Sequence, residues 1–288
     1  MFGCRAAPLA RHIGLATALA MAAPVAAPAQ EGLTAVGTEF VLTTPDGRTL
    51  RSADLVGATL NIAADGKQLE IMIGSVEEDR HSVRGRVLLH HFLVRDDTGR
   101  QVDMCAPDAD GRSLGFPVPD GHGGFDLTCT SGAVGKCIRW GYRPWEEQPG
   151  GPPLGALHQA CIHMARADYG GDGRATTREG MIIYWCDRFD LYHCREDAPF
   201  AFEAAWGPDG AICLARPRLP ENVSLDQLAE RYPRLKSHLG PAGCSMNSST
   251  IRDPMALLFN RSGKWREARD QPGRLHPQRC FHPHRCLP

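Results

Sequence analysis

The stretch Leu157–Gly173, LHQACIHMARADYGGDG, decides how the rest of the chain is read. Leu157, Cys161, Met164 and Ala165, with Leu154 one turn earlier, recur at helical spacing and share one side. The pattern predicts a central helix over Leu154–Asp168 that buries this face and runs into a glycine-rich loop carrying Asp168 and Asp172. His158 falls on or near the buried face. His163 and Arg166 fall on the other, expected to be solvated.

The segments before this helix alternate rather than spiral. Three turn signals, Pro45-Asp46-Gly47, Ala64-Asp65-Gly66 and Asp97-Thr98-Gly99, separate the strand-length segments Glu39–Thr43, Ala58–Ala63, Gln68–Val76 and Arg86–Arg95. In Gln68–Val76 the residues Leu69, Ile71 and Ile73 alternate with polar ones, the mark of a half-buried strand. Arg86–Arg95 is more continuously apolar, as in a strand covered on both faces. The expected product over residues 30–130 is a small sandwich or open barrel. After it come a short helix within Ser131–Trp140, the turn Gly141-Tyr142-Arg143-Pro144-Trp145 and the loop Gln148–Pro153. A strand over Gly180–Asp187 follows the glycine loop, and Phe200–Trp206 with Ala211–Ala215 form a hairpin across Gly207-Pro208-Asp209-Gly210. Ser224 with Gln227 makes a capping box for a helix over Leu225–Tyr232. Asp253 before Pro254 predicts another helix over Met255–Asn260. Beyond Arg261 the chain turns polar and basic, and a poorly packed tail is expected. The expected class is α+β: a β-rich half packed on a mixed half (131–265) with one central helix, then a Cys/His-rich tail over 266–288.

The first residues address the chain. Arg5 and Arg11 precede the apolar run Ile13–Ala27, and Ala27-Pro28-Ala29 is an A-x-A cleavage signal. A secretory signal peptide over residues 1–29 is expected. A membrane span needs roughly 20 apolar residues, and this run is shorter and broken by Pro24. Without it, ten of the 11 cysteines remain, an even count that suits a disulfide framework in an exported chain. Nearness in sequence favours Cys129–Cys137, Cys186–Cys194 and Cys280–Cys286. No C-x-x-C pair occurs, which argues against a zinc ribbon or a thioredoxin-like site. With 30 basic and 33 acidic residues after residue 29, the charge is −3. That balance leaves no electrostatic footprint for nucleic acid. A periplasmic or extracellular location, a monomer and a protein or envelope partner are expected.

Several segments taken together resemble the ADYC family of secreted bacterial proteins, named for an Ala-Asp-Tyr-Cys motif. They are Gly135-Lys136-Cys137, Gly141-Tyr142-Arg143-Pro144-Trp145, His158-Gln159-Ala160-Cys161, Arg166–Gly173, Trp206–Ala211 with Cys213, and Leu258–Ser262. The resemblance covers roughly residues 35–262 and implies a secreted or envelope-associated protein of unknown activity. One departure stands out: Gly170 occupies the place of the motif's cysteine. A rewired disulfide is expected, so pairings of relatives do not carry over.

Candidate sites each have a bland counterpart. With Asp168 at position 1, Asp172, Arg174 (by its carbonyl), Thr176 and Glu179 fall at the calcium-ligand positions 5, 7, 9 and 12, and Gly173 at 6. Position 3 is Gly170, and the bland reading is a helix end closed by glycines. His158 with Asp168 or Asp172 suggests a hydrolase-type enzyme; its counterpart is a core histidine with one hydrogen bond. His90 and His91, adjacent in a strand, point to opposite faces and cannot share a metal ion. Cys280, His282, His284 and Cys286, with His276 nearby, suit copper or zinc when reduced and a small staple when oxidised. Trp140, Tyr142 and Trp145 line a groove for a sugar or peptide, or fill the seam between the halves. No P-loop, H-E-x-x-H, G-x-S-x-G or dinucleotide fingerprint is present. The leading expectation is a non-catalytic binding or structural protein with a calcium-binding loop.

Overall fold

The computed structural model describes residues 32–64, 67–178, 180–195, 197–247 and 249–264. The expected signal segment and the Cys/His tail, with Cys4, Cys280 and Cys286, lie outside them. The β-rich half contains β1 (Leu33–Val36), β2 (Glu39–Thr43), β3 (Thr49–Arg51), β4 (Thr59–Ala64), β5 (Lys67–Glu78), β6 (Leu88–Arg95), β7 (Gln101–Asp103), β8 (Gly115–Pro119) and β9 (Phe125–Cys129). β1, β2 and β3 form one antiparallel sheet, and β4-β5-β6-β8-β9 a second, with β7 also on β6. Leu33 and Phe40 from the first sheet share a core with Leu60, Ile71, Ile73 and Phe92 from the second. The arrangement is the small sandwich.

β6 is covered on both faces where its sequence is most apolar. Phe92 and His90 face the sandwich core, stacked at 5.4 Å. Leu89 faces the other way, into a cluster with Val87, Phe116, Val118 and Ile138. That second cluster is the seam, because Ile138 belongs to α1 (Ala133–Arg139) of the mixed half.

The mixed half continues with α2 (Leu154–Arg166), β10 (Met181–Asp187), β11 (Phe202–Gly207), β12 (Gly210–Leu214), α3 (Leu225–Arg231) and β13 (Leu258–Lys264). Its sheet runs β10-β13-β11-β12, antiparallel throughout. α2 lays Leu157, Ala160, Cys161 and Met164 on this sheet, in one core with Ala204, Trp206, Leu214 and Leu258. The capping box forms: Ser224 Oγ accepts from the Gln227 amide at 3.2 Å, and Gln227 Oε1 accepts from the Ser224 amide at 2.9 Å.

Two expectations need correction. Leu258–Lys264 is a central strand, not the end of a helix beginning at Met255, and Ser262 and Gly263, expected in a poorly packed tail, are buried in it. Asp253 accepts the Met255 amide at 2.8 Å and its carbonyl accepts from Ala256, which closes a turn. Cys129 pairs with Cys105, not Cys137, and Cys137 pairs with Cys161, which ties α1 to α2. Cys186–Cys194 forms as expected, and Cys213–Cys244 completes the four described bridges.

A buried ion pair lies at the centre of the mixed half. Glu203 and Arg218, both with fully buried side chains, meet side-on through two bonds of 3.0 Å. Tyr169 Oη donates to Glu203 at 3.1 Å and accepts from the Arg218 amide at 2.7 Å. Asn260 Nδ2 donates to Glu203 at 2.9 Å, while its Oδ1 accepts from Trp206 Nε1 at 2.8 Å. Arg218 also donates to the carbonyls of Met164 and Ala165, the unpaired C-terminal groups of α2. Removing one partner would strand a buried charge. Arg218→Met is therefore expected to cost about 3–5 kcal/mol in urea unfolding, and Glu203→Gln combined with Arg218→Met to recover most of it. Equal losses in the single and double variants would count against the pairing.

Candidate functional site

The glycine loop begins where α2 stops. Ala167 takes the left-handed conformation, φ 49°, that usually falls to glycine. The Asp168 amide bonds the His163 carbonyl and the Ala167 amide that of Met164, the Schellman pattern. The Asp168 carboxylate, itself buried, then accepts the amides of Gly171, Asp172 and Gly173 at 3.0, 3.2 and 2.8 Å. His163 adds a fourth contact: Nδ1 lies 3.0 Å from Asp168, and Nε2 lies 2.9 Å from the Pro208 carbonyl. His163 is thus largely buried between the loop and the hairpin turn, not solvated as its helical position suggested. Its two nitrogens both face acceptors.

The candidate calcium ligands are used within this turn. Asp172 holds the Arg174 amide at 3.2 Å and its guanidinium at 3.1 Å, and accepts Tyr232 Oη at 3.0 Å. Thr176 Oγ1 donates to the Ala167 carbonyl at 2.7 Å. Glu179 lies outside the described residues. Among the described residues no three His, Cys, Asp or Glu side chains are grouped to hold a metal ion. The place of the motif's cysteine is filled from elsewhere: a Cβ on Gly170 would collide with the ring of Tyr232.

His158 is not brought to Asp168 or Asp172. It lies ten residues before Asp168, about 15 Å along the helix axis, and is only 5% exposed. Burial pushes its pKa from 6.5 down to about 4, against a smaller opposing pull from the Val134 backbone in α1. Its neighbour on the helix, Cys161, is a disulfide partner and no nucleophile. His90 and His91 do point apart. His90 meets Ser52 Oγ at 2.7 Å inside the sandwich, and His91 meets Asp103 at 2.7 Å outside it.

The aromatic group divides its work. Trp140 packs on Trp185, with ring centres 4.2 Å apart, and Tyr142 is buried with its hydroxyl on Asp187 at 3.1 Å. Both fill the seam. Trp145 packs against the Val87–Ile138 cluster but stays part-exposed, with its Nε1 edge over Gly37. It lines an open cleft of about 480 Å³ with Arg84, Glu146, Glu147, Gln148, Pro152, Leu154 and Leu191. Arg84 is the unusual member. Its backbone is left-handed, φ 62°, a conformation that costs a residue with a Cβ roughly 1–2 kcal/mol. Arg143, almost wholly buried, holds it there. Its guanidinium donates to the Arg84 carbonyl, to Ser82 Oγ at 3.0 Å, to the Val83 carbonyl at 2.7 Å and to the Gly85 carbonyl at 3.3 Å. The Arg84 stem lies against Gly141, and its Nη2 donates to the Leu191 carbonyl at 2.9 Å. Among the described residues no carboxylate pairs with it. Sequence reasoning found Trp145 and missed Arg84, Glu147 and Leu191, which come from separate segments and carry no shared motif.

A second cleft, about 700 Å³, is lined by Glu77, Glu78, Asp79, Arg80, His81, Asp110 and Arg112. Much of its charge is already paired: Glu77 with Arg112 at 2.7 Å, Glu78 with Arg86 at 3.1 Å, and Asp79 with Arg139 at 2.6 Å. Such walls offer a ligand less than the seam does.

Two predictions follow from these groups. His90, like His158, is pushed from 6.5 to about 4 by burial. The unfolded chain takes up these protons first, so their contribution is constant above pH 6.5 and is lost as pH falls from 6.5 through 4. The upper bound is about 3 kcal/mol per histidine. The buried Asp187 carboxyl, pushed upward, works in the opposite direction. Stability measured between pH 7 and 4.5 should fall, and His90→Gln with His158→Gln should flatten the slope. Separately, Asp168→Ala should cost about 2 kcal/mol by leaving three amides without their acceptor. A cation at Asp168 would face those same N–H donors, so millimolar calcium should leave the wild-type melting temperature unchanged. A rise that Asp172→Ala abolishes would restore the metal reading.

The model of the ADYC domain matches residues 52–220, which is 169 of the 288 residues. The match runs from Ser52, which bonds His90, through α2 and the glycine loop to just past Arg218. It is narrower than the resemblance read from the sequence, ending before Tyr232 and β13. No curated protein and no solved structure matches the chain. More than half of the chain, including the Ala167-Asp168-Tyr169-Gly170 loop and the wall of the seam cleft, fits one family pattern, and the protein belongs to the ADYC-domain family.

Proposed function

We propose that the protein is an exported, non-catalytic binding protein of the bacterial envelope or its surroundings, taking its partner in the cleft beside Trp145. The observation that carries this is Arg84. A cation is held in a left-handed backbone by a buried arginine, in the lining of a cleft that draws on both halves. Backbone strain of this kind concentrates at binding and catalytic sites. Export is supported by the order of charged, apolar and A-x-A segments in residues 1–29 and by four disulfides, which persist in oxidising compartments. Among the described residues no helix is long and apolar enough to cross a membrane. The monomer is kept as the default state. The alternative, a hydrolase using His158 with Asp168 or Asp172, would need those groups to meet, and Asp168 is bonded to His163 instead.

Arg84→Gly separates stability from function. Glycine adopts the left-handed backbone freely, so the variant should gain about 1 kcal/mol in unfolding free energy. At the same time it should lose co-sedimentation with isolated bacterial envelopes, which the wild type should show. A stabilised variant that binds envelopes as well as the wild type would sink the proposal.

A further inference from the structure

We infer that the seam cleft takes a glycan, with one uncharged pyranose ring lying on Trp145. This rests on the cleft being the binding site. A pyranose has an apolar face of C–H groups and a perimeter of hydroxyls that both donate and accept. Its natural host is an aromatic plane with mixed donors and acceptors around it. The cleft has this composition. Trp145 supplies the plane, and its Nε1 edge lies over the bare backbone of Gly37, where a Cβ would come within 3.3 Å of that nitrogen. Arg84 supplies donors, Glu147 acceptors, and the Gln148 carboxamide both. Pro152, Leu154 and Leu191 complete the apolar part of the wall. Its volume of about 480 Å³ lies within the range of roughly 300–1,000 Å³ typical of small-ligand sites.

The other occupants fit less well. A nucleic acid needs an excess of positive charge, and here the one guanidinium, Arg84, shares the cleft lining with two carboxylates, Glu146 and Glu147. The same carboxylates disfavour an acidic sugar. An added peptide strand needs an open sheet edge for its backbone, and the residues lining this cleft belong to turns, loops, a short 3-10 helix over Pro144–Glu146 and the first turn of α2, with no strand among them. Glu146 is already bonded to Arg143 at 3.1 Å, which leaves Glu147 as the acceptor for sugar hydroxyls.

The test uses the mature oxidised protein with chitotriose, maltotriose and a proline-rich peptide as probes. It combines titration calorimetry with NMR of the sugar C–H protons. One of the two sugars should bind, with its ring protons shifted upfield by the indole. Trp145→Ala and Glu147→Gln should each weaken binding by about tenfold or more, equivalent to roughly 1.4 kcal/mol. Trp145→Phe should retain part of it, which guards against a Trp145→Ala variant that merely misfolds. The bound sugar should also displace the protein from envelopes. If neither sugar binds while envelope binding still depends on Trp145 and Arg84, the glycan inference fails and the cleft reading stands. Peptide binding in that case would reassign the ligand. If envelope binding ignores both residues, the cleft reading fails as well.

Discussion

The structure of the mixed half depends on one buried ion pair, Glu203 with Arg218. Taking two charges out of water is expensive, and their attraction compensates only when the remaining donors and acceptors are also satisfied. Here Tyr169, Asn260 and the last carbonyls of α2 do this. Each partner comes from a different element: Tyr169 from the glycine loop, Glu203 from β11, Asn260 from β13 and Arg218 from the segment after β12. A shift of β13 by one residue against β11 would turn Asn260 away from both Glu203 and Trp206. The pair therefore selects a register, and α2 is docked by the same guanidinium.

The seam is built from similar parts in a less completely buried setting. Arg139 in α1 reaches Asp79 at the end of β5, with both side chains largely buried, and Asp108 beyond it at 3.5 Å. Arg143 grips the turn over residues 82–85 through carbonyls that no β-strand claims. Around these polar ties, Leu89, Phe116 and Ile138 close an apolar layer. The result is a stiff floor under Arg84 and Trp145. A site whose side chains are already placed loses less freedom when a ligand arrives, which is the physical content of pre-organisation. The Cys186–Cys194 bridge acts in the same direction, since Leu191 in the enclosed loop forms part of the cleft wall.

What the sequence made legible was what is local. The Ser224–Gln227 box, the hairpin over Gly207–Gly210 and the alternation of Ile71 and Ile73 are each decided within a few residues, and each appears. Leu69 marks where that alternation stops being informative, since the core ends before it and the side chain is exposed. The β13 region reads as a helix because Asp253-Pro254 is a genuine helix start signal, yet the same two residues also close a turn. Its sequence, LFNRSGK, carries no alternation, because a central strand with Asn260 and Ser262 buried breaks the apolar-in, polar-out rule. Disulfide pairing failed for the same reason of distance. Cys129 lies eight residues from Cys137, but β9 and α1 leave their shared corner in different directions, and each cysteine meets a partner 24 residues away. The helical angle of His163 points it to solvent, and only the hairpin turn at Pro208, distant in sequence, covers it.

The loop that names the family is explained almost entirely as a folding device. Ala167 ends α2 in a left-handed turn, Asp168 collects three amides, and Tyr169 completes the ion pair. Gly170 and Gly171 let other segments approach closely, with the Tyr232 ring against the first and the Asp209 backbone against the second. Arg234 then fastens the loop to the hairpin, bonding the carbonyls of Tyr169, Gly170, Asp209 and Ala211. With so many fixed donors, the loop holds its shape without the motif's cysteine, and the space beside Gly170 passes to Tyr232. The Asp168 and Tyr169 side chains are answered inside the protein, so they have little chemistry to offer a ligand. The seam is the opposite case. Arg84 holds a cation that no carboxylate among the described residues pairs, beside a part-exposed indole and in a left-handed backbone, and the proposal of recognition at the seam rather than at the signature loop rests on that arrangement.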